Sequence, residues 1–257
     1  LPISFAIDAT EYAKDEHHFE IINPNMELPK EPSASESLNG AAVWSSFFCR
    51  HYIDRLCKQD FEKLLLKGLK EAPNILSFVA SAGWGKTFFL KSKLVELYRD
   101  NGQPIIWLNP FGTLDLSNDE KNQIIAGKWD EKRIDYIVGR INNVADEHKF
   151  REGRGLPVIV ADNCPERVDE ILSLFRYLIS NNRKFLIIVA FRDYEYDIAI
   201  EGHTLLKRGL MFRPENENYD STEEVIKLID FCETHNVANI NIQKELVAQR
   251  IIESGVE

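Results

Sequence analysis

The 257-residue sequence predicts an α/β fold, a parallel sheet covered on both faces by helices. Three observations carry this prediction. Short, continuously apolar runs recur along the chain; stretches of helical periodicity separate them; and the first run passes into its helix through a turn of small residues containing two glycines. A strand buried on both faces has no solvent side to show, so unbroken apolar runs alternating with helices are what a doubly covered parallel sheet requires.

The elements follow in order. The first 21 residues carry no readable pattern, and residues 22–40 concentrate Pro, Ser and Asn and read as a connector. Phe61, Leu64, Leu65 and Leu69 recur at helical spacing and stop before Pro73. The run from Asn74 to Ala80 is a strand, and Leu90, Leu94, Leu97 and Tyr98 mark a helix ending at Asn101-Gly102. Residues 104–109 form the next strand, and Ile134, Ile137, Val138 and Ile141 the next helix. Residues 156–162 repeat the strand pattern, Val168, Ile171, Leu172, Phe175 and Ile179 the helix, and residues 184–191 the strand. The alternation then stops. Ser221 and Glu224 stand at capping-box spacing before Val225, Leu228 and Ile229, and a further apolar stretch runs from Leu246 to Ile252. The expected organisation is therefore an N-terminal segment and linker over 1–39, a main α/β domain over 40–215, and the beginning of a small helical domain over 216–257. The absence of an initial Met and the stop at Glu257 read as a fragment in which that last domain is cut short.

Composition limits the function classes. At 44% hydrophobic and 28% charged residues the chain is neither disordered nor collagen-like. Its longest apolar run, Phe185 to Phe191, is far short of the roughly 20 residues that span a bilayer, so no membrane segment is expected. With 31 Lys+Arg against 41 Asp+Glu, the net charge of −10 gives no overall attraction to nucleic acid or anionic lipid. Leu1 to Thr10 show no basic start or cleavage site, and the four cysteines lack CxxC spacing, which points to reduced thiols and a cytoplasmic protein. His17 and His18 have no second ligand pair nearby in sequence and read as solvated surface rather than a metal site.

The chemistry is concentrated in Ser81, Ala82, Gly83, Trp84, Gly85, Lys86 and Thr87, placed between a strand and the start of a helix. Gly83 and Gly85 let consecutive N–H groups converge on a phosphate, and the helix N-terminus adds the positive end of its dipole. Lys86 reaches the β/γ-phosphates as a point charge, and the Thr87 hydroxyl ligates Mg²⁺. This phosphate loop narrows the fold class to that of a P-loop NTPase binding ATP or ADP. Ala80 stands where the full pattern begins with Gly. Phe88, next along, completes the candidate nucleotide contacts.

Asp162 closes the strand before it and is the candidate Mg²⁺ carboxylate of a Walker B position. The next residue is Asn163, an amide, which orients water but is no general base; Glu166 reads better as a helix N-terminal acid, with Asp169 and Glu170. Arg192, after the last strand, either reads the γ-phosphate or pairs with Asp193 or Glu195. Arg50, with His51 and Tyr52, either packs the base or lies on a solvated helix face, and Trp84 either shields phosphates or packs on the sheet edge.

On the loop from Ala80 to Thr87, on Asp162 and on the strand ending at Arg192, the sequence resembles the STAND class of P-loop ATPases, which includes NACHT, NB-ARC and bacterial antiviral sensors. The resemblance covers about 40–257. It implies ATP or ADP held between a nucleotide-binding domain and a helical lid, homo-oligomerisation in response to a protein trigger, a role in signalling or defence, and a base-contacting segment near Arg50. Lys86, Asp162 and Arg192 are then the residues expected to carry slow or assembly-dependent hydrolysis. A cycling AAA+ ATPase is the alternative; a small-molecule kinase fits less well, and a GTPase lacks its Asn-Lys-x-Asp motif.

Overall fold

The computed structural model describes residues 19–22, 44–48, 50, 52–108, 134–135, 137–143, 156–162, 167–214 and 222–234. Its elements are β1 (Phe19–Ile22), α1 (Trp44–Phe48), α2 (Lys58–Lys70), β2 (Asn74–Val79), α3 (Lys86–Asn101), β3 (Ile105–Leu108), β4 (Val158–Ala161), α4 (Val168–Ser180), β5 (Leu186–Phe191), α5 (Asp193–Gly202), α6 (Thr204–Arg208), β6 (Leu210–Phe212) and α7 (Thr222–Thr234). Residues 134–135 and 137–143 are also helical. The predicted helix containing Leu246 to Ile252, the residues His17, His18, Asn163 and Glu166, and Ser221 of the capping box lie outside the described residues.

The strands form one sheet in the order β1-β3-β4-β5-β2-β6. Five are parallel, with β4 and β2 flanking β5 and with β6 beside β2. The exception is β1, which pairs antiparallel with β3, Phe19 opposite Leu108 and Ile22 opposite Ile105. This edge strand lies in the stretch whose sequence gave no pattern. An antiparallel edge on a parallel sheet is common, and four residues are too few to show periodicity.

Every residue of β3, β4 and β5 is buried, as the unbroken apolar runs predict. On one face Ile187, Val189 and Phe191 of β5 join Ile159 and Ala161 of β4, and α4 lays Ile171, Leu172, Phe175 and Leu178 over them. Phe175 meets Phe185 edge-on, 5.4 Å between ring centres. Each large aliphatic side chain buried in this layer contributes about 1.5–3 kcal/mol. On the other face α2 comes close because of Gly68: a Cβ there would stand 2.9 Å from Leu186 Cδ1 and 3.3 Å from Leu210 Cδ1.

The chain divides into two compact units. One, Leu1–Met26 with Leu64–Val79 and Tyr98–Phe212, holds the sheet and α4 to α6. The other, Glu27–Lys63 with Ala80–Leu97 and Arg213–Glu257, holds α1, the loop after β2, most of α3, and α7.

Candidate nucleotide-binding site

The loop from Ala80 to Gly85 joins β2 to α3, the strand-loop-helix order that its sequence predicts. Gly83 and Gly85 have φ of 79° and 87°, left-handed values that an L side chain adopts only at a cost. A Cβ at Gly85 would meet nothing within 4 Å, so the demand for glycine there is purely one of backbone conformation. Left-handed residues alternating with right-handed ones curve the main chain into an anion-binding nest. The Lys86 ammonium donates to the carbonyls of Ala80 (2.9 Å) and Ser81 (2.7 Å), which ties the start of α3 to the start of the loop. Phe89 N–H donates to Gly85 C=O at 2.9 Å, opening the helical ladder. The first turns of α2, α4 and α5 carry acids, whereas that of α3 carries none, so the positive end of its dipole is not offset by its own side chains. A loop and helix start of this kind fit a polyphosphate; Lys86 would be its charge partner, and the half-buried Thr87 would offer a hydroxyl to a Mg²⁺ ion.

Trp84, between the two glycines, is 4% exposed. Its ring packs edge-on against Phe89 at 5.3 Å, and Phe89 in turn meets Phe61 at 5.2 Å. The Arg55 guanidinium lies 4.2 Å above the Trp84 ring and donates through Nη1 to the Trp84 carbonyl at 3.0 Å. The ring is thus packed between Phe89 and Arg55. Phe88 is half-buried and packs edge-on against Phe47 of α1 at 4.8 Å.

The segment before α2 is also tied to α3 through charge. Lys93, with its side chain 1% exposed, is paired with Asp54 and with Glu96 (2.9 Å). Lys58 bridges Asp54 (2.9 Å) and Glu96 (3.2 Å), and the Tyr52 hydroxyl donates to Glu96 at 2.8 Å. Burial by itself would raise the Asp54 carboxyl, but hydrogen bonds from Lys93 and Lys58 outweigh it and hold Asp54 below its ordinary range. Burial likewise opposes the charge on Lys58, and the hydrogen bond with Asp54 overcomes it and raises the ammonium.

Asp162 and Arg192 belong to the sheet unit and leave neighbouring parallel strands at the same edge. Asp162 is 7% exposed. Because Ala161 pairs with Val189, β5 runs two residues beyond β4, about 7 Å at the usual strand rise. Val79, ending β2, pairs with Phe191, ending β5, so these two strands stop level with one another. The Arg192 side chain reaches Glu195 (Nε to Oε1, 3.7 Å) and the Tyr194 hydroxyl (3.2 Å). The Glu195 carboxylate also accepts the Arg192 backbone N–H at 2.8 Å, capping α5. The hydrogen bond to Tyr194, and then the charge of Glu195, raise the guanidinium further. The pairing alternative for Arg192 is thus realised with Glu195. Arg50 is exposed, has φ of 62°, and donates its N–H to Phe47 C=O at 3.1 Å.

Arg55 is the residue that the sequence reading missed. An isolated Trp inside a glycine-rich loop has to bury a large ring, and a nearby Arg is the side chain best able to stack on it while bonding its main chain. The sequence analysis singles out Arg50 as a candidate base contact, and Arg55 lies five residues further on. Among the described residues no group of three or more His, Cys, Asp or Glu is assembled for a metal ion, and no helix is long and apolar enough to cross a membrane.

No protein-family model matches the chain, and no curated protein matches it at a significant level. Solved structures do. A closed-state reconstruction of Hsp104 with ATPγS and FITC casein matches at 12% identity and a TM-score of 0.51, over 84% of this chain and 36% of that one. The S. cerevisiae Hsp104:casein complex in its extended conformation matches at 11% identity and 0.56, over 81% and 35%. The chain therefore spans about a third of the length of these Hsp104 chains. The likeness establishes the fold: an α/β architecture of five parallel strands with flanking helices, shared with these Hsp104 structures.

Proposed function

We propose that this chain is the nucleotide-binding part of an ATP-dependent molecular switch, with ATP·Mg²⁺ held by the phosphate loop and Lys86, and with Thr87 and Asp162 serving the metal. The observation that carries the reading is the loop itself. Two glycines at positive φ, a helix start without acids, and a lysine folded onto the loop's first carbonyls form a polyphosphate cradle at the end of a buried strand. Arg192, at the level where β2 ends, senses the γ-phosphate by exchanging Glu195 for it. Asn163 beside Asp162 keeps hydrolysis slow, because an amide does not accept a proton from water. Nucleotide state is read out by residues from 216 onward and sets homo-oligomerisation under a protein trigger, as in STAND-type signalling or defence, in the cytoplasm.

A second reading, a cycling AAA+ ATPase, is supported by the likeness to Hsp104. Steady-state ATP turnover and light scattering of the full chain in ATP and in ADP separate the two. The switch reading expects turnover well below about 1 s⁻¹, the low end of ordinary enzymes, and a larger assembly in ATP than in ADP. Fast turnover without any trigger would favour the cycling reading, and identical assemblies in both nucleotides would remove the switch.

A further inference from the structure

We infer that Arg55 is a positioning residue for nucleotide binding, holding the phosphate loop in its working shape through Trp84; this rests on the reading of that loop as an ATP site. The loop's two left-handed glycines give it curvature but no anchor, since neither has a side chain. Trp84 is the one large residue between them, and it is held three ways. Phe89 supports the ring's edge, the Arg55 guanidinium covers its face at 4.2 Å, and the same guanidinium takes the Trp84 carbonyl at 3.0 Å. A cation over the ring and a charged donor on the peptide between Trp84 and Gly85 fix both the side chain and the orientation of the main chain. That peptide supplies the Gly85 N–H, one of the donors of the nest. Arg55 is itself set by the segment on which it stands: its neighbour Asp54 is locked to Lys93 and Lys58, and Tyr52 to Glu96. Arg55 is 8% exposed and acts on nucleotide only through Trp84.

The test is calorimetric titration of ATP with Mg²⁺ into the full chain and into Arg55→Met, Arg55→Lys, Trp84→Ala, the Arg55→Met/Trp84→Ala double variant, and Lys86→Ala. Arg55→Met is expected to weaken ATP by about 10- to 100-fold, the size of a lost charged hydrogen bond. Arg55→Lys, keeping charge without the planar fork, restores only part of this, and serves where the Met variant does not fold. On the Trp84→Ala background the same Arg55 change should cost clearly less than in the parent, because the ring contact is gone and only the bond to the carbonyl at position 84 remains. Trp84 emission, isolated by subtracting the spectrum of Trp84→Phe, should shift in Arg55→Met before any nucleotide is added. Parent-like ATP affinity in both Arg55 variants, an equal Arg55 penalty with or without the Trp84 change, or unaltered Trp84 emission would overturn the inference. With Lys86→Ala still weakened, only the role of Arg55 falls; no ATP uptake by the unmodified chain would remove the nucleotide reading and this inference together.

Discussion

Along β5 every side chain from Leu186 to Phe191 is buried and apolar, whereas α3 buries Lys91, Ser92 and Lys93 in the middle of a helix. α3 also buries Phe89, Leu90, Leu94, Val95 and Leu97, so apolar packing is common to both regions and α3 adds polar contacts to it. Packing in the sheet unit is non-directional: strands exclude water wherever apolar area meets apolar area. Around α3 the contacts are directional, with Lys91 lying 4.6 Å over the Trp44 ring, Lys93 paired with two carboxylates, and Arg55 on both the ring and the carbonyl of Trp84. Apolar packing supplies stability but leaves small shifts cheap. Ion pairs and stacked cations fix orientation, which a loop aiming N–H groups at a phosphate requires.

The sheet should therefore be the costlier region to damage. Phe185→Ala removes a fully buried ring from the layer shared with Phe175 and should destabilise the chain by about 3–5 kcal/mol in urea titration. A loss below about 1 kcal/mol would mean that the sheet is not the stabilising body. Lys93→Met keeps much of the volume but removes the buried one of the two cations that Asp54 and Glu96 share, leaving them Lys58. Because Asp54 is 42% exposed, the cost should fall below that of a fully buried pair, at about 2–3 kcal/mol.

Acid sharpens the contrast. Asp54 is held below its ordinary value near 3.8, so its contribution is complete above that pH and is lost as pH falls through the lower folded value. Urea midpoints measured from pH 5 downward should decline more gently in Asp54→Asn than in the unmodified chain, while Phe185→Ala should keep the parental slope. Parallel slopes for Asp54→Asn and parent would remove the carboxyl from the network.

The smallest stability effect is expected at Arg192, whose side chain is 44% exposed and paired within its own helix turn. Arg192→Ala should leave the urea midpoint unmoved yet weaken ATP by about tenfold more than ADP. Equal losses for both nucleotides would confine Arg192 to capping α5.

The same contrast explains what could be read from sequence. The runs Asn74 to Ala80, 104–109, 156–162 and 184–191 announce β2 to β5 because a strand buried on both faces is apolar at every position. The loop announces itself because Gly adopts the left-handed φ values at 83 and 85 without the cost that a side chain would add. β1 and β6 were not legible: four and three residues carry no period, and what makes them strands is the partner edge that each finds on β3 and β2. α5 and α6 were not read either, since Tyr194 and Ile198 lie exposed on α5 and blur its apolar face. Arg55 was hidden for a further reason. Its value depends on Trp84, 29 residues away, and no local spacing encodes that meeting.

Titration of ATP with Mg²⁺ into the unmodified chain and into Lys86→Ala addresses the phosphate loop most directly. On the proposed reading Lys86 is the loop's charge partner for phosphate, so the unmodified chain should bind and the variant should lose about 10- to 100-fold in affinity, with the urea midpoint changed far less than in Phe185→Ala. Equal affinity in the two proteins, or no binding by the unmodified chain, would contradict a nucleotide site at this loop.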